Sequence, residues 1–432
     1  MMQRLKFAAM TALVVLTPNV IPAQGTETYE QPPISYSATQ PRDALAQVQT
    51  RLAAGKLKLT GSGKEIVQSL LRELHIPVES QLLVFSKTSF QRQRIRPDHP
   101  RALYFSDTCY VGWLPSGLVE VTTIDPQLGP IFYSFDPNAG TPKFVRDNEC
   151  LSCHGGNFVR GIPGVFVRSV FTDAAGEPLL RFGSEVVDFR TPFTNRWAGW
   201  YVTGKHGTAL HRGNVLAQDK KGELVVDLKR GANVADLSPF FETKAYLTSG
   251  SDIVALLVFE HQLAMQNTLT RASQDCRRML AYQKNLQHDL KEPVTGELTY
   301  DSVKRVFEGA AKDVVDDLLF KEEARLPQGL EGSAAFQSAF QTGTPRDREG
   351  RSLKDFHLQG HLFQNRCSYL IYSESFLNLP AALKRKVYGR LVHALHPTNP
   401  DPQYAYLGGE ERARISSILQ QTHPEFRQAL GL

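Results

Sequence analysis

The sequence predicts an α+β protein whose β-rich N-terminal half is interrupted by a short helix and whose C-terminal third is helical. Short β-branched or aromatic runs, separated by Gly and Pro, fill residues 81–215. Beyond residue 237 the apolar residues recur at helical spacing. The segment Cys-Leu-Ser-Cys-His at 150–154 falls among the predicted strands. A hydrophobic content of 41% with 22% charged residues is ordinary for a folded protein.

Two helices precede the predicted strands, at 44–54 and 64–74, because apolar side chains repeat there every three or four residues. A turn at 173–176, with Gly176 at its end, is expected to join two strands into a hairpin. The strands are expected at 82–85, 102–105, 110–113, 119–124, 131–135, 165–171, 179–182 and 200–203.

The last third is expected to hold four long helices. Ser251 or Asp252 is a suitable N-cap for the first of them. Their expected ranges are 252–286, 302–321, 381–395 and 410–421.

The N-terminus has the pattern of a secretory signal. Arg4 and Lys6 precede an apolar run at 7–16 that is too short to span a bilayer. We expect a signal peptide at 1–23, with cleavage after Ala23, and export to the bacterial periplasm or beyond; an uncleaved anchor helix is the alternative. Residues 24–42 are rich in Pro, Ser, Thr and Gln, which predicts an extended leader.

After the leader we expect a β-rich region at 43–236, which contains the Cys-Leu-Ser-Cys-His segment, and a mainly helical region at 237–432, packed together as one composite domain. No run after the signal is long and apolar enough for a transmembrane span. A formal net charge of +5 is too small to indicate nucleic-acid binding. The sequence also lacks Ser-His-Asp spacing, a His-Glu-x-x-His zinc helix and a dinucleotide fingerprint.

Cys150, Cys153 and His154 form the pattern to which a c-type haem is attached. On a short helical turn the two thiols project to one side, where they can add to the porphyrin vinyl groups. The imidazole that follows is then placed to bind the iron as proximal ligand. The pattern occurs once, so we expect one covalent haem c.

The sixth iron ligand would decide between an electron carrier and an open site for small molecules. His261 and Met265 lie four residues apart on one apolar face of the predicted long helix, so either could reach iron. His206 and His211 lie in a Gly-rich loop after a predicted strand and are further candidates. Each of the four also has a structural interpretation, as core filler or turn residue.

Two other groups of residues suggest features around the haem. Arg92, Arg94 and Arg96 alternate along a predicted strand, where they could neutralise haem propionates or dock an acidic redox partner, or simply form a solvated face. Three cysteines remain outside the haem pair, which suggests one disulfide and one buried thiol among Cys109, Cys276 and Cys367.

Several segments resemble a group of exported bacterial proteins described as cytochrome c domain-containing. The similar segments are 80–89, 100–105, 110–113, 150–154, 167–171, 199–204 and 367–376. The resemblance implies one haem on the Cys150–His154 pentapeptide and implies no particular substrate. That group has a Met after the second loop histidine, where this chain has Arg212, so the resemblance leaves the sixth ligand open.

Three hypotheses about function follow. The first is an exported c-type cytochrome that transfers electrons to or from a redox partner. The second is a haem enzyme, for example a peroxidase-like oxidoreductase, or a small-ligand sensor with an open distal site. The third is a non-haem protein in which Cys150 and Cys153 form a disulfide or hold zinc with more distant ligands.

Overall fold

The computed structural model describes residues 27–139 and 143–431 of the chain. The expected signal peptide at 1–23 therefore lies outside the described residues. In the described part, helices and strands occur together, which confirms the mixed α+β class. Most strands precede residue 226, and the long helices follow residue 252.

The main sheet has seven antiparallel strands. Taken along the chain, these strands are β1 (Leu82–Val84), β2 (Arg101–Phe105), β3 (Cys109–Trp113), β4 (Val119–Asp125), β5 (Gly129–Phe135), β6 (Val145–Arg146) and β9 (Trp200–Tyr201). Their order across the sheet is β6-β5-β4-β3-β2-β1-β9. Three two-stranded pairs complete the strands of the described chain: β7 (Val167–Ser169) with β8 (Glu185–Val187), β10 (Lys205–His206) with β13 (Leu330–Glu331), and β11 (Gln218–Lys220) with β12 (Glu223–Val225).

The main sheet lies between two layers of helix. One face, which includes Tyr104, Val111 and Val121, is fully buried against the N-terminal helices α1 (Ala44–Ala53) and α2 (Gly63–Glu73). The other face carries Phe105 and Phe132 and packs against the C-terminal helices. Alternation of side chains along each strand assigns residues to these two faces.

The second face is not covered completely. Five of its residues are only half-buried, although their sequence neighbours on the opposite face are fully buried. We call these five the half-buried strip: Arg101 and Leu103 on β2, Glu120 and Thr122 on β4, and Ser134 on β5. The register places Leu103, Gly112, Glu120 and Ser134 in one row across four strands.

The centre of the helical layer is a 38-residue helix, α4 (Ile253–Leu290). The predicted cap is confirmed, since the Asp252 carboxylate accepts hydrogen bonds from the amides of Val254 and Ala255. Every residue from Ile253 to Leu263 is buried, because the sheet and the other helices surround this part of α4. The remaining helices of this layer are α5 (Asp301–Leu318), α6 (Ala334–Gln341), α7 (Glu374–Leu377), α8 (Ala381–Ala394), α9 (Gly409–Thr422) and α10 (Pro424–Ala429).

The N-terminal segment differs from the expected extended leader. Residues 27–42 form turns that pack against the sheet, and Tyr29, Ile34 and Tyr36 are buried. The Tyr36 hydroxyl donates a hydrogen bond to the carbonyl of Pro130 on β5 (2.6 Å). Three apolar side chains are enough to attach a segment whose composition is otherwise that of a linker.

Two strand predictions were also wrong. Residues 91–94, expected to carry an arginine stripe, form turns, and Arg96 makes only an isolated bridge with His99. The turn ending at Gly176 is present, with φ of +83°, but the segment after it is a 3₁₀ turn, Leu180–Phe182. β7 instead pairs with β8, because the ladder forms where Val167 and Val187 meet inside the core.

The cysteine prediction needs correction as well. The three cysteines outside the segment at 150–154 are free thiols, each buried at a different place in the fold, so the expected disulfide is absent from the described residues. Burial raises the pKa of each thiol to about 12. These thiols are Cys109 on β3, Cys276 on α4 and Cys367. Among the described residues we find no helix with the length and apolar character that crossing a bilayer requires.

Candidate functional site

The Cys-Leu-Ser-Cys-His segment begins at the edge of the main sheet. β6 pairs with β5, and the amide of Asp147 then donates to the carbonyl of Phe132 (2.9 Å). The Asp147 carboxylate accepts a hydrogen bond from the amide of Glu149 (3.0 Å) and so caps the turn that follows. That turn is a 3₁₀ turn at Asn148–Cys150, and it leads directly into the short helix α3 (Leu151–His154). The sheet edge therefore fixes where the motif starts.

The N-terminal segment holds the motif from the other side. The guanidinium of Arg146 donates to the carbonyls of Tyr36 (2.7 Å) and Thr39 (2.9 Å). The hydroxyl of Tyr29 lies against Gly155, where an added Cβ would come within 2.5 Å of it. Only glycine fits at this position, directly after the histidine.

The two thiols of the motif are free. Cys150 is half-buried and packs on the core beside the sheet, whereas Cys153 is exposed. Burial raises the pKa of the Cys150 thiol to about 12, and the negative charges of Asp147 and Glu120 add to the rise. Both sulfurs are therefore uncommitted in the fold, as an attachment site requires.

The His154 imidazole is fixed by two aromatic rings and one hydrogen bond. Its ring centroid lies 4.9 Å from that of Phe132 and 5.3 Å from that of Phe166. Nδ1 lies 2.9 Å from the carbonyl oxygen of Gly164, and the amide of Gly164 donates back to the carbonyl of His154 (2.8 Å). A carbonyl only accepts, so Nδ1 carries the proton and the Nε2 lone pair is free. Burial lowers the pKa of His154, which favours this neutral form.

The long helix α4 holds the carbonyl that orients His154. The Asn267 side chain accepts from the amide of Val165 (3.0 Å) and donates to its carbonyl (2.7 Å). A Cβ at Gly164 would lie 2.8 Å from Val159 and 2.9 Å from Oδ1 of Asn267. The loop thus passes so close to α4 that a side chain at Gly164 has no space.

An ion pair crosses the half-buried strip beside the motif. The guanidinium of Arg101 passes over Gly112 to reach the carboxylate of Glu120, at a place where an alanine Cβ would overlap it. Within the described residues, Nε of Arg101 is buried and has no hydrogen-bond partner. Both charges act on the Cys150 thiol and on the His154 imidazole, so the pair lies next to the motif.

The structure does not bring the two helix candidates for the distal ligand to His154. Nε2 of His261 is hydrogen-bonded to the hydroxyl of Ser368 (2.8 Å), and the ring stacks on Phe320 at 4.0 Å. Met265 is fully buried in the core. It lies two residues from Asn267, which is about 200° around the helix, so Met265 points away from the loop that contacts His154.

The two loop candidates are engaged with each other and with backbone groups. His206 and His211 have ring centroids 4.6 Å apart. Nδ1 of His206 faces the carbonyl of Ala209 (2.8 Å), and its Nε2 accepts from the amide of Asn233 (2.8 Å). Nδ1 of His211 accepts from the amide of Gly213 (2.9 Å), so the ring proton is on Nε2. Neither imidazole presents a free nitrogen lone pair in this arrangement.

Sequence reasoning found the three residues of the motif and missed the residues around them. In the sequence, Phe132 and Phe166 fall within the predicted strands at 131–135 and 165–171, and Gly164 directly precedes the second of these. Only its short separation from His154 could have suggested a role for Gly164. Over residues 27–139 and 143–431, no three His, Cys, Asp or Glu side chains are grouped as a metal ion would need. A haem needs no such group, because the porphyrin supplies four of the iron ligands.

Comparisons of the chain with protein-family models, with curated proteins and with solved structures gave no match.

Proposed function

We propose that the protein is an exported c-type cytochrome with one haem, attached through Cys150 and Cys153 and bound axially by His154, and that it transfers electrons. The bound haem would supply a one-electron iron couple. The chain itself would hold the axial imidazole in one orientation and one protonation state.

The observation that carries the proposal is the environment of His154. Its Nδ1 donates to a backbone carbonyl at 2.9 Å, which leaves Nε2 as the only nitrogen that can bind a metal. Histidines that bind metals in proteins are oriented by this kind of second hydrogen bond. His206 differs from His154 in this respect, because both of its ring nitrogens are engaged with backbone groups.

The half-buried strip also supports the proposal. Leu103 and Thr122 leave a partly apolar surface uncovered on the sheet face against which Cys150 packs. A porphyrin is a flat apolar plate that is stabilised by covering such a surface. Arg101, whose buried Nε has no hydrogen-bond partner among the described residues, would supply a donor for a propionate carboxylate beside its ion pair with Glu120.

The second candidate, a haem enzyme or small-ligand sensor, is favoured by a different observation. The distal candidates His206, His211, His261 and Met265 are all held by contacts elsewhere. If none of them moves, the sixth position stays open to water or to a small ligand.

The test is to express the chain together with the haem-attachment machinery and to purify the mature protein. The proposal expects a Soret band, a mass increased by one haem, and a haem that stays with the chain after denaturation. Cys150→Ala with Cys153→Ala should lose the covalent link, and His154→Ala should change the spin state. His288→Ala is the matched control, since the His288 side chain is 88% exposed.

Two spectra then separate the candidate functions. A low-spin ferrous form that does not take up carbon monoxide supports the electron carrier, whereas a high-spin form that binds it supports the enzyme or sensor. A mature protein without haem, in a host that loads other c-type cytochromes, would refute both and leave the disulfide or zinc hypothesis.

A further inference from the structure

The turns at 89–96 form a basic loop with an exposed aromatic ring. Arg92, Arg94 and Arg96 are all exposed, and Phe90 is 63% exposed. Among the described residues only Arg96 has an acidic partner, Asp98 (3.0 Å). Aromatic residues and arginine are the residue types that are enriched at the centre of protein–protein interfaces.

This basic loop is attached to the half-buried strip. The Gln91 side chain accepts from the amide of Leu118 (2.8 Å) and donates to its carbonyl (3.1 Å). It also donates to the carboxylate of Glu120 (3.3 Å), the partner of Arg101. The loop is therefore hydrogen-bonded directly to the ion pair of Arg101 and Glu120, whose charges act on Cys150 and His154.

The other side of the motif has a similar combination. The guanidinium of Arg168 lies over the Phe158 ring, 5.2 Å from its centroid, and the ring is 48% exposed. Arg168 lies close enough to Cys153 for a charge on that sulfur to act on the guanidinium. Phe90 and Phe158 are thus two exposed aromatic rings with arginine beside them, the first on the loop that is hydrogen-bonded to Glu120 and the second linked to His154 through the ring of Phe166.

We infer that the basic loop, with Phe90 at its centre, is the surface on which an acidic redox partner protein docks. The inference rests on the proposed function, because docking there is useful only if the haem lies next to it. The arginines would steer an acidic protein toward the loop, and Phe90 would lose water on contact. Electron transfer from a partner docked there would need no rearrangement of the chain, since Gln91 fixes the loop to the half-buried strip beside the proposed haem.

The test measures electron transfer between the haem-loaded protein and an acidic flavodoxin. Flavodoxin hydroquinone gives one electron to the ferric haem and becomes the semiquinone. Arg92→Glu with Arg94→Glu should lower the bimolecular rate constant by about tenfold or more near 20 mM salt. At about 0.5 M salt, where screening is nearly complete, the loss should be under about threefold. Phe90→Ser should weaken the complex at both salt concentrations, because it removes apolar contact rather than charge.

The matched control is Lys284→Glu with Arg305→Glu, which changes the net charge equally on exposed parts of α4 and α5. This pair should change the rate constant by less than about threefold. Hexaammineruthenium(III), a small cation that oxidises the ferrous haem by one electron, should react faster with the Arg92/Arg94 variant than with the wild type.

Equal losses for the loop and control variants, or no loss for either, would overturn the docking inference while the haem spectrum leaves the proposed function intact. Binding of the loop to vesicles of anionic lipid, with unchanged flavodoxin rates, would also overturn it in favour of a membrane surface. A preparation without a Soret band would refute the proposed function itself.

Discussion

Replacing Gly164 by alanine should loosen the imidazole of His154 without touching the motif itself. The new Cβ would lie 2.8 Å from Val159 and 2.9 Å from Oδ1 of Asn267, both closer than side chains allow. The loop must then move away from α4, and the carbonyl that accepts from Nδ1 moves with it. The perturbation therefore acts on the orientation of His154, the proposed proximal ligand.

The expected cost follows from two contributions. Overpacking at a tight site typically destabilises a protein by about 1–3 kcal/mol. Weakening one buried hydrogen bond adds about 1 kcal/mol. Together these give a loss of about 2–4 kcal/mol in the free energy of unfolding. The absorption spectrum of the haem-loaded protein should also show a larger high-spin fraction, because the axial bond is less well aligned.

Gly156→Ala is the control, since it lies in the same loop and an added Cβ there meets no atom closer than 4.0 Å. Urea unfolding and the visible spectrum are measured for both variants and for the wild type. A Gly164→Ala protein that matches the wild type in stability and in spin state would refute the reasoning. A Gly156→Ala protein with the same defects would show that the loop tolerates no substitution and that Gly164 has no special role.

Three further results are expected. Burial lowers the pKa of His261 from 6.5 to about 3, so at this position only the unfolded chain takes up a proton as the pH falls below about 6.5. This proton uptake should lower the free energy of unfolding by about 2 kcal/mol between pH 7.5 and 5.0. His261→Gln should therefore reduce the drop in unfolding free energy over this pH range by that amount. An equal drop in variant and wild type would contradict this. Gly112→Ala should displace Arg101 from Glu120 and destabilise the protein by about 1–3 kcal/mol. Gly389→Ala, where the new Cβ lies in open space on α8, should stabilise the protein by up to about 1 kcal/mol. If urea unfolding shows stability changes of the same sign for both variants, Gly112 is not constrained. Alkylation of the haem-loaded protein should label no thiol rapidly in the native state, because Cys109, Cys276 and Cys367 are buried. After denaturation without reductant, all three of these thiols should be labelled. If only one thiol is labelled, the other two form a disulfide.

Local patterns predicted the regular elements well. The helix at 44–54 appears as Ala44–Ala53, and the strand at 119–124 as Val119–Asp125, because each has a periodicity that its own side chains set. The long helix was predicted from its cap, although it extends to Leu290 rather than 286. The predictions failed where long-range contacts decide, as in the arginine loop and in the packed segment at 27–42.

The sequence by itself predicts the proposed attachment site, because two cysteines and a histidine within one helical turn need no other residue to form the pattern. It could not determine which nitrogen of His154 is free, since that depends on the Gly164 carbonyl, ten residues away, and on Asn267, more than a hundred residues away. The tertiary structure also decided that the four distal candidates face other partners. Hydrogen bonds and packing between distant segments set the direction of a side chain, and periodicity along one segment does not contain that information.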